Sequence, residues 1–192
     1  PALAPPLIDA SAQGVTIHLA ARVTFPSGEL HWHAHIVADA HGTLRYHWRG
    51  CADGDVSTNR TGLCILHPAT VADGPCTVEH VDGRVTAGRF PGAIAPHQPF
   101  QNIRAITHAF APGVTATAHC AGEVFEMEDQ RNWTDASFKT YCRPLDWPAP
   151  YELRAGTVVE QTVAVTVRGE PPPLANMPHA SGALVSSASS AL

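Results

Sequence analysis

From Val15 to Gly169 apolar and polar residues alternate with a period of two, and no helical period persists beyond about three turns. Such alternation places successive side chains on opposite faces of a strand, so the pattern predicts an all-β chain. Ile17, Leu19, Ala21, Val23 and Phe25 alternate with His18, Ala20, Arg22 and Thr24, and Pro26-Ser27-Gly28 then supplies a turn. Leu30, Trp32, Ala34 and Ile36 share a face that Leu44, Tyr46 and Trp48 continue beyond His41-Gly42, which predicts a hairpin. Leu63 to Leu66 is a short, fully apolar run expected at the centre of a sheet. Asp82-Gly83, between Thr77 to Val81 and Arg84 to Phe90, is a strong two-residue hairpin signal; it places Glu79 with Thr77 and Val81, and His80 on the core side. Thr115 to Cys120, Val124 to Glu128, Ser137 to Cys142 and the alternating Val159 to Val167 complete the set. So many strands at short spacing predict an antiparallel β-sandwich over residues 15–169. Residues 1–14 read as an irregular lead-in, and 170–192, with Pro171-Pro-Pro173 and a Ser/Ala-rich end, as a linker or mobile tail.

A chain of 192 residues suits one domain with tails. Charged residues make up 15% and hydrophobic ones 44%, which excludes a highly charged disordered chain. The net charge of −5 leaves no basic surface to track a phosphate backbone, so no nucleic-acid partner is expected. No apolar run approaches the roughly 20 residues of a membrane span, and the start lacks a basic segment followed by an apolar one. Neither a membrane nor a secretory route is expected, and the expected location is cytoplasmic. Cys51, Cys64, Cys76, Cys120 and Cys142 are odd in number and form no C-x-x-C, so they read as reduced, mostly buried thiols. The missing initiator Met leads us to expect a fragment of a longer product.

The usual nucleophile-elbow, phosphate-loop and H-E-x-x-H motifs are absent, and no motif calls for a cofactor. His31-Trp-His-Ala-His35 points three imidazoles to one face of a strand, with His47 on the hairpin partner. That spacing suits zinc or nickel; the plainer reading is a solvent-facing polar row shared with Val37, Arg45 and Arg49. A second candidate is Glu126 to Tyr141, where a hairpin centred near Asn132 and Trp133 would set Glu126 opposite Lys139, Glu128 opposite Ser137 and Val124 opposite Tyr141. Phe125, Met127 and Phe138 then face the core, and the other side becomes a polar shelf rimmed by Asp129, Arg131, Asn132, Trp133 and Asp135. Carboxylates and amides bond hydroxyls and Trp covers the apolar face of a sugar ring, so the shelf suits a polyol; structural salt bridges on a sheet produce the same letters. Lys139 is the one Lys in a chain that otherwise uses Arg. His67, at the end of the apolar run, reads either as a pocket contact or as a satisfied core histidine.

Asn59-Arg-Thr-Gly62, Leu66-His-Pro68, Glu79-His-Val-Asp-Gly83, Pro99-Phe100, Ile103-Arg104 and the whole Phe125 to Tyr141 segment resemble bacterial D-apionate lactonases over about residues 40 to 168. The resemblance implies an N-terminal β-sandwich related to the galactose mutarotase-like supersandwich, incomplete at its start, preceding a TIM-type barrel that is missing here. It also implies a sugar-acid lactone as the substrate. Lactone hydrolysis needs an activated water, a donor to the developing oxyanion and an acid for the leaving alkoxide. From the shelf, Glu126 or Glu128 would be the base and Lys139 or Arg131 the oxyanion donor. Asp129, Asn132, Trp133, Asp135, Tyr141, His67 and Glu79 would be substrate contacts. The alternatives are a non-catalytic carbohydrate-binding or domain-docking sandwich and a mutarotase-like epimerase.

Overall fold

The computed structural model describes residues 2–170. Its strands are β1 (Ala2–Leu3), β2 (Leu7–Ser11), β3 (Gly14–Phe25), β4 (Gly28–Asp39), β5 (Thr43–Gly54), β6 (Val56–Thr58), β7 (Cys64–Pro68) and β8 (Pro75–His80). They continue as β9 (Val85–Arg89), β10 (Ile103–Ala111), β11 (Val114–Ala121), β12 (Phe125–Asp129), β13 (Ser137–Cys142), β14 (Tyr151–Leu153) and β15 (Val158–Gly169). The helical segments among the described residues are two 3₁₀ turns, Ala69–Val71 and Gln130–Trp133. None of them is long and apolar enough to cross a membrane.

Thirteen strands form one antiparallel sheet in the order β1-β3-β4-β5-β15-β11-β10-β12-β13-β7, with β2 on β3, β8 on β10 and β9 on β8; β6 and β14 make a separate ribbon. The register explains why one face is core. Ile17, Ile36, Tyr46, Val163 and Cys120 line up across five strands, while the neighbouring row on the opposite face is His18, His35, His47, Thr162 and Ala121. The sheet folds back on itself, so that β7 and β13 lie across from β10: His67 meets His108 at 3.0 Å and the Phe138 ring sits 5.0 Å from that of Phe90. Between the layers Phe90, Ile103, Ile106, Phe125, Met127 and Phe138 are fully buried. Each such side chain removed from water contributes roughly 1.5–3 kcal/mol.

Two expectations are corrected. The stretch read as an irregular lead-in contains β1 and β2, and β2 pairs with β3 from Leu7↔His18 to Ser11↔Gly14. Every residue of β2 is exposed, so the strand is held by backbone hydrogen bonds and leaves no apolar period to read. Leu63 to Leu66 leads into an edge strand rather than a central one, because among the described residues β7 pairs with β13 alone. Ile65 and His67 point inward whereas Cys64 and Leu66 are exposed. The linker expected from Glu170 lies, Glu170 apart, outside the described residues.

The loop entering β7 is fastened to the central strand β15. The buried Gln161 accepts from the Leu63 amide at 2.8 Å and donates to the Thr61 carbonyl at 3.1 Å. Gly62, at φ +139°, lies against that amide group, and a Cβ there would stand 2.1 Å from the Gln161 oxygen. Gln161→Leu is expected to cost about 2 kcal/mol in denaturant unfolding, because the Leu63 N–H would stay buried without an acceptor.

Candidate functional site

The polar segment singled out in the sequence forms the β12–β13 hairpin. Asp129 caps its turn by accepting from the Arg131 amide at 3.1 Å, and Thr134 closes it in the left-handed conformation. The pairing is Glu126↔Tyr141 and Glu128↔Lys139, not Glu126 with Lys139 and Glu128 with Ser137 as expected. The 3₁₀ turn followed by Thr134 moves the centre of the connection toward the C-terminus. A displacement of two residues preserves the faces, whereas a displacement of one would have exchanged them. Phe125, Met127 and Phe138 are therefore buried as expected, and Glu126, Glu128, Lys139 and Tyr141 share the other face.

On that face the Glu128 carboxylate is held between two donors, Trp133 Nε1 at 2.8 Å and Lys139 Nζ at 3.2 Å. Both members of the ion pair remain partly exposed. Glu126 is 1% exposed, and its Oε1 accepts from the Tyr141 hydroxyl at 2.5 Å and the Leu145 amide at 2.6 Å. Burial, reinforced by Glu126, raises the Tyr141 pKa, so the phenol is a fixed neutral donor. Two cations lie near its ring: Arg60 at 4.8 Å and Lys139 at 5.5 Å from the centroid. A cleft of about 270 Å³ opens beside Glu128 and Trp133, with His97, Gln98, Asn132 and Leu145 around it.

Three rim residues serve mainly to tie chain segments together. Arg131 holds both oxygens of Asp129, at 2.8 and 2.7 Å, and also donates to the carbonyls of Pro91, Gly92 and Ala93. Asp129 accepts from the Ala95 amide at 2.9 Å, and Asn132 donates to the Ala95 carbonyl at 2.5 Å. Burial raises the pKa of Asp129, but its bonds from Arg131 and Ala95 outweigh that and hold it below the usual carboxylate range. Arg131 is thereby fully engaged, which leaves Lys139 as the shelf's side-chain ammonium beside Glu128. Asp135 accepts from Ser137 at the base of the turn.

His67 and Glu79 are not brought to this cleft. His67 is 3% exposed, between Thr140 at 2.9 Å and His108 at 3.0 Å. Because His108 Nδ1 faces the Ala109 carbonyl at 3.0 Å, its Nε2 must accept, so His67 Nδ1 donates and its Nε2 accepts from Thr140. Burial, then the neighbouring His108, lowers the His67 pKa to about 4. Glu79 faces Arg104 at 3.6 Å and His119 at 3.9 Å on the outer side. His80 lies inside, bonded to the Gln101 carbonyl and Thr86.

In the histidine row, His31 faces Glu29 at 3.2 Å, His35 stacks on His18 with centroids 4.6 Å apart, and His47 meets Glu160 at 2.8 Å. Among the described residues no three His, Cys, Asp or Glu side chains converge as a metal site. The described residues contain no disulfide; Cys76, Cys120 and Cys142 are buried, Cys51 is half-buried and Cys64 exposed.

Sequence reasoning missed Arg60 and the His97-Gln98 wall. The available signal was the Pro96-His-Gln-Pro99 loop, an irregular segment of the kind that carries function on rigid scaffolds. No local pattern links Arg60 to Tyr141, which is 81 positions away.

The architecture is that of the galactose mutarotase-like proteins. The GalM/aldose epimerase homologue from C. elegans superposes with a TM-score of 0.51 at 10% identity, covering 85% of this chain and 68% of that one. Galactose 1-epimerase from Lactobacillus acidophilus does so with 0.51 at 8% identity, covering 88% and 66%. Within that fold, residues 1–170 match the model of the D-apionate lactonase N-terminal domain, and the chain belongs to this family. It is 47% identical over 133 residues to D-apionate lactonase from Brucella anthropi. That match covers 69% of this chain and spans 22% of the relative's length.

Proposed function

We propose that this domain forms the sugar-facing wall of an enzyme that hydrolyses a sugar-acid lactone, with D-apionolactone as the substrate to test first. The observation carrying the reading is Glu128, oriented by Trp133 Nε1 and Lys139 Nζ at the mouth of a cleft while still reachable from solvent. Glu128 takes a proton from the attacking water, which bonds to the lactone carbonyl carbon. Lys139 stabilises the oxyanion that forms; as it collapses the ring C–O bond breaks, and the proton held by Glu128 passes to the leaving alkoxide, which becomes a hydroxyl and restores the carboxylate. Trp133 offers a ring face to the substrate. Glu126 acts through Tyr141 as a positioning residue, since it is buried beneath the phenol. A further domain, a TIM-type barrel, completes the pocket, so residues 1–192 alone are expected to turn over little lactone.

In the complete, barrel-containing enzyme, Glu128→Gln is expected to lower kcat for D-apionolactone about 100-fold, the scale of general-base catalysis, with little change in thermal stability. Lys139→Ala is expected to act in the same direction. Unchanged turnover in both variants would return the shelf to a structural salt bridge. NMR of the same reaction separates ring opening from the anomer exchange that an epimerase would show.

A further inference from the structure

A second surface lies on the inner face of the long β3–β4–β5 strands, beside the Thr58–Leu63 loop. It is a groove of about 330 Å³ lined by Phe25, Trp32, Tyr46, Trp48, Thr58 and Arg60, within the size range of small-molecule sites. Its floor is built for a flat ring. Trp48 lies across Gly50, where a Cβ would stand 2.6 Å from the indole, and Trp32 tilts against it with centroids 6.4 Å apart. Trp32 and Tyr46 are only half-buried, so aromatic surface remains open beside the buried Leu30 and Trp48. At the rim Arg60 is exposed and has no carboxylate partner among the described residues; its guanidinium rests over Tyr141.

We infer that this groove binds a cyclic sugar carrying a carboxylate, with the apolar face of the ring on Trp32 and the anionic group on Arg60. An indole platform matches the C–H face of a pyranose or furanose, and an unpaired guanidinium at its edge matches a carboxylate through two parallel hydrogen bonds. A purely apolar ligand or a neutral sugar would leave the charge of Arg60 unused. The inference stands apart from the lactone reading, because its side chains are not those assigned to the lactone, Arg60 touching the shelf only through the Tyr141 ring, and because it needs no turnover.

The test is a titration of residues 1–192 with D-galacturonate and with D-galactose, followed through the indole N–H signals of the four tryptophans. D-galacturonate is expected to shift the Trp32 and Trp48 signals saturably and to bind more tightly than D-galactose. Trp32→Ala is expected to weaken it about tenfold, equal to about 1.4 kcal/mol. Arg60→Gln, a change at an exposed side chain, is expected to remove the preference for D-galacturonate and to serve alone should Trp32→Ala fail to fold. Glu128→Gln is expected to leave binding unchanged. Shifts confined to Trp133, equal affinity for both sugars in the unaltered chain, or no saturable shift would each overturn the groove assignment. None of these results bears on lactone turnover by the complete enzyme.

Discussion

Asp129→Ala is expected to be among the most damaging single changes in this domain, costing about 4 kcal/mol in denaturant unfolding. The carboxylate is fully buried, both oxygens are held by Arg131, and one also receives the Ala95 amide. Removing it leaves a guanidinium that is 17% exposed without its counter-charge and frees the 91–95 segment that leads into the 95–98 wall of the cleft. Asp129→Asn retains the shape but loses the charge, and is expected to fall between the two. Because the folded pKa is depressed, the carboxylate's stabilisation is present in full above its unfolded value and disappears as pH falls through the folded one. A loss under about 1 kcal/mol for Asp129→Ala would show that Arg131 holds the loop through its carbonyl contacts alone.

Acid is expected to weaken the domain through His67 over a separate and higher window. The unfolded imidazole takes up a proton near its ordinary value of 6.5, whereas the buried one does so only near 4. Between these values the unfolded state binds more protons, so stability rises with pH. The full contribution is present above 6.5 and is lost progressively down to about 4, at about 1.36 kcal/mol per unit, or about 3 kcal/mol in all. His67→Gln keeps an acceptor for Thr140 and a donor for His108 but cannot titrate. Stability measured from pH 7.5 to 4 is expected to fall by about 3 kcal/mol less in the variant than in the unaltered chain. Parallel curves would mean that His67 is solvated or protonated in the folded state.

Much of the fold was legible because amphipathic strands announce their own inner faces. Ile36, Tyr46 and Val163 could be assigned to one face from alternation alone, and they share it in the structure. Alternation does not encode pairing order, so it could not reveal that β7 ends the sheet or that the wholly exposed β2 joins it. The shelf was legible as a face because parity survives a shift of two residues. Its register was not, because the length of the connection depends on a 3₁₀ turn capped by Asp129, whose letter alone reads equally well as a substrate contact. Charged letters at a rim look alike whether they face solvent or one another, and Arg131 is distinguished only by the carbonyls of residues 91–93, some 40 positions away.

The last strand of the described residues stands in the middle of the sheet. β15 joins β5 on one side to β11 on the other, and no backbone ladder connects those two strands directly. During synthesis the hairpins from β3 to β5 and from β10 to β11 emerge first as separate ribbons, each with an unpaired edge waiting for the same segment. The ladder from β5 to β11 therefore cannot be completed before the chain through Gly169 has been made. Until then Trp48, Cys120 and the loop later gripped by Gln161 belong to two halves that share a chain but not a core.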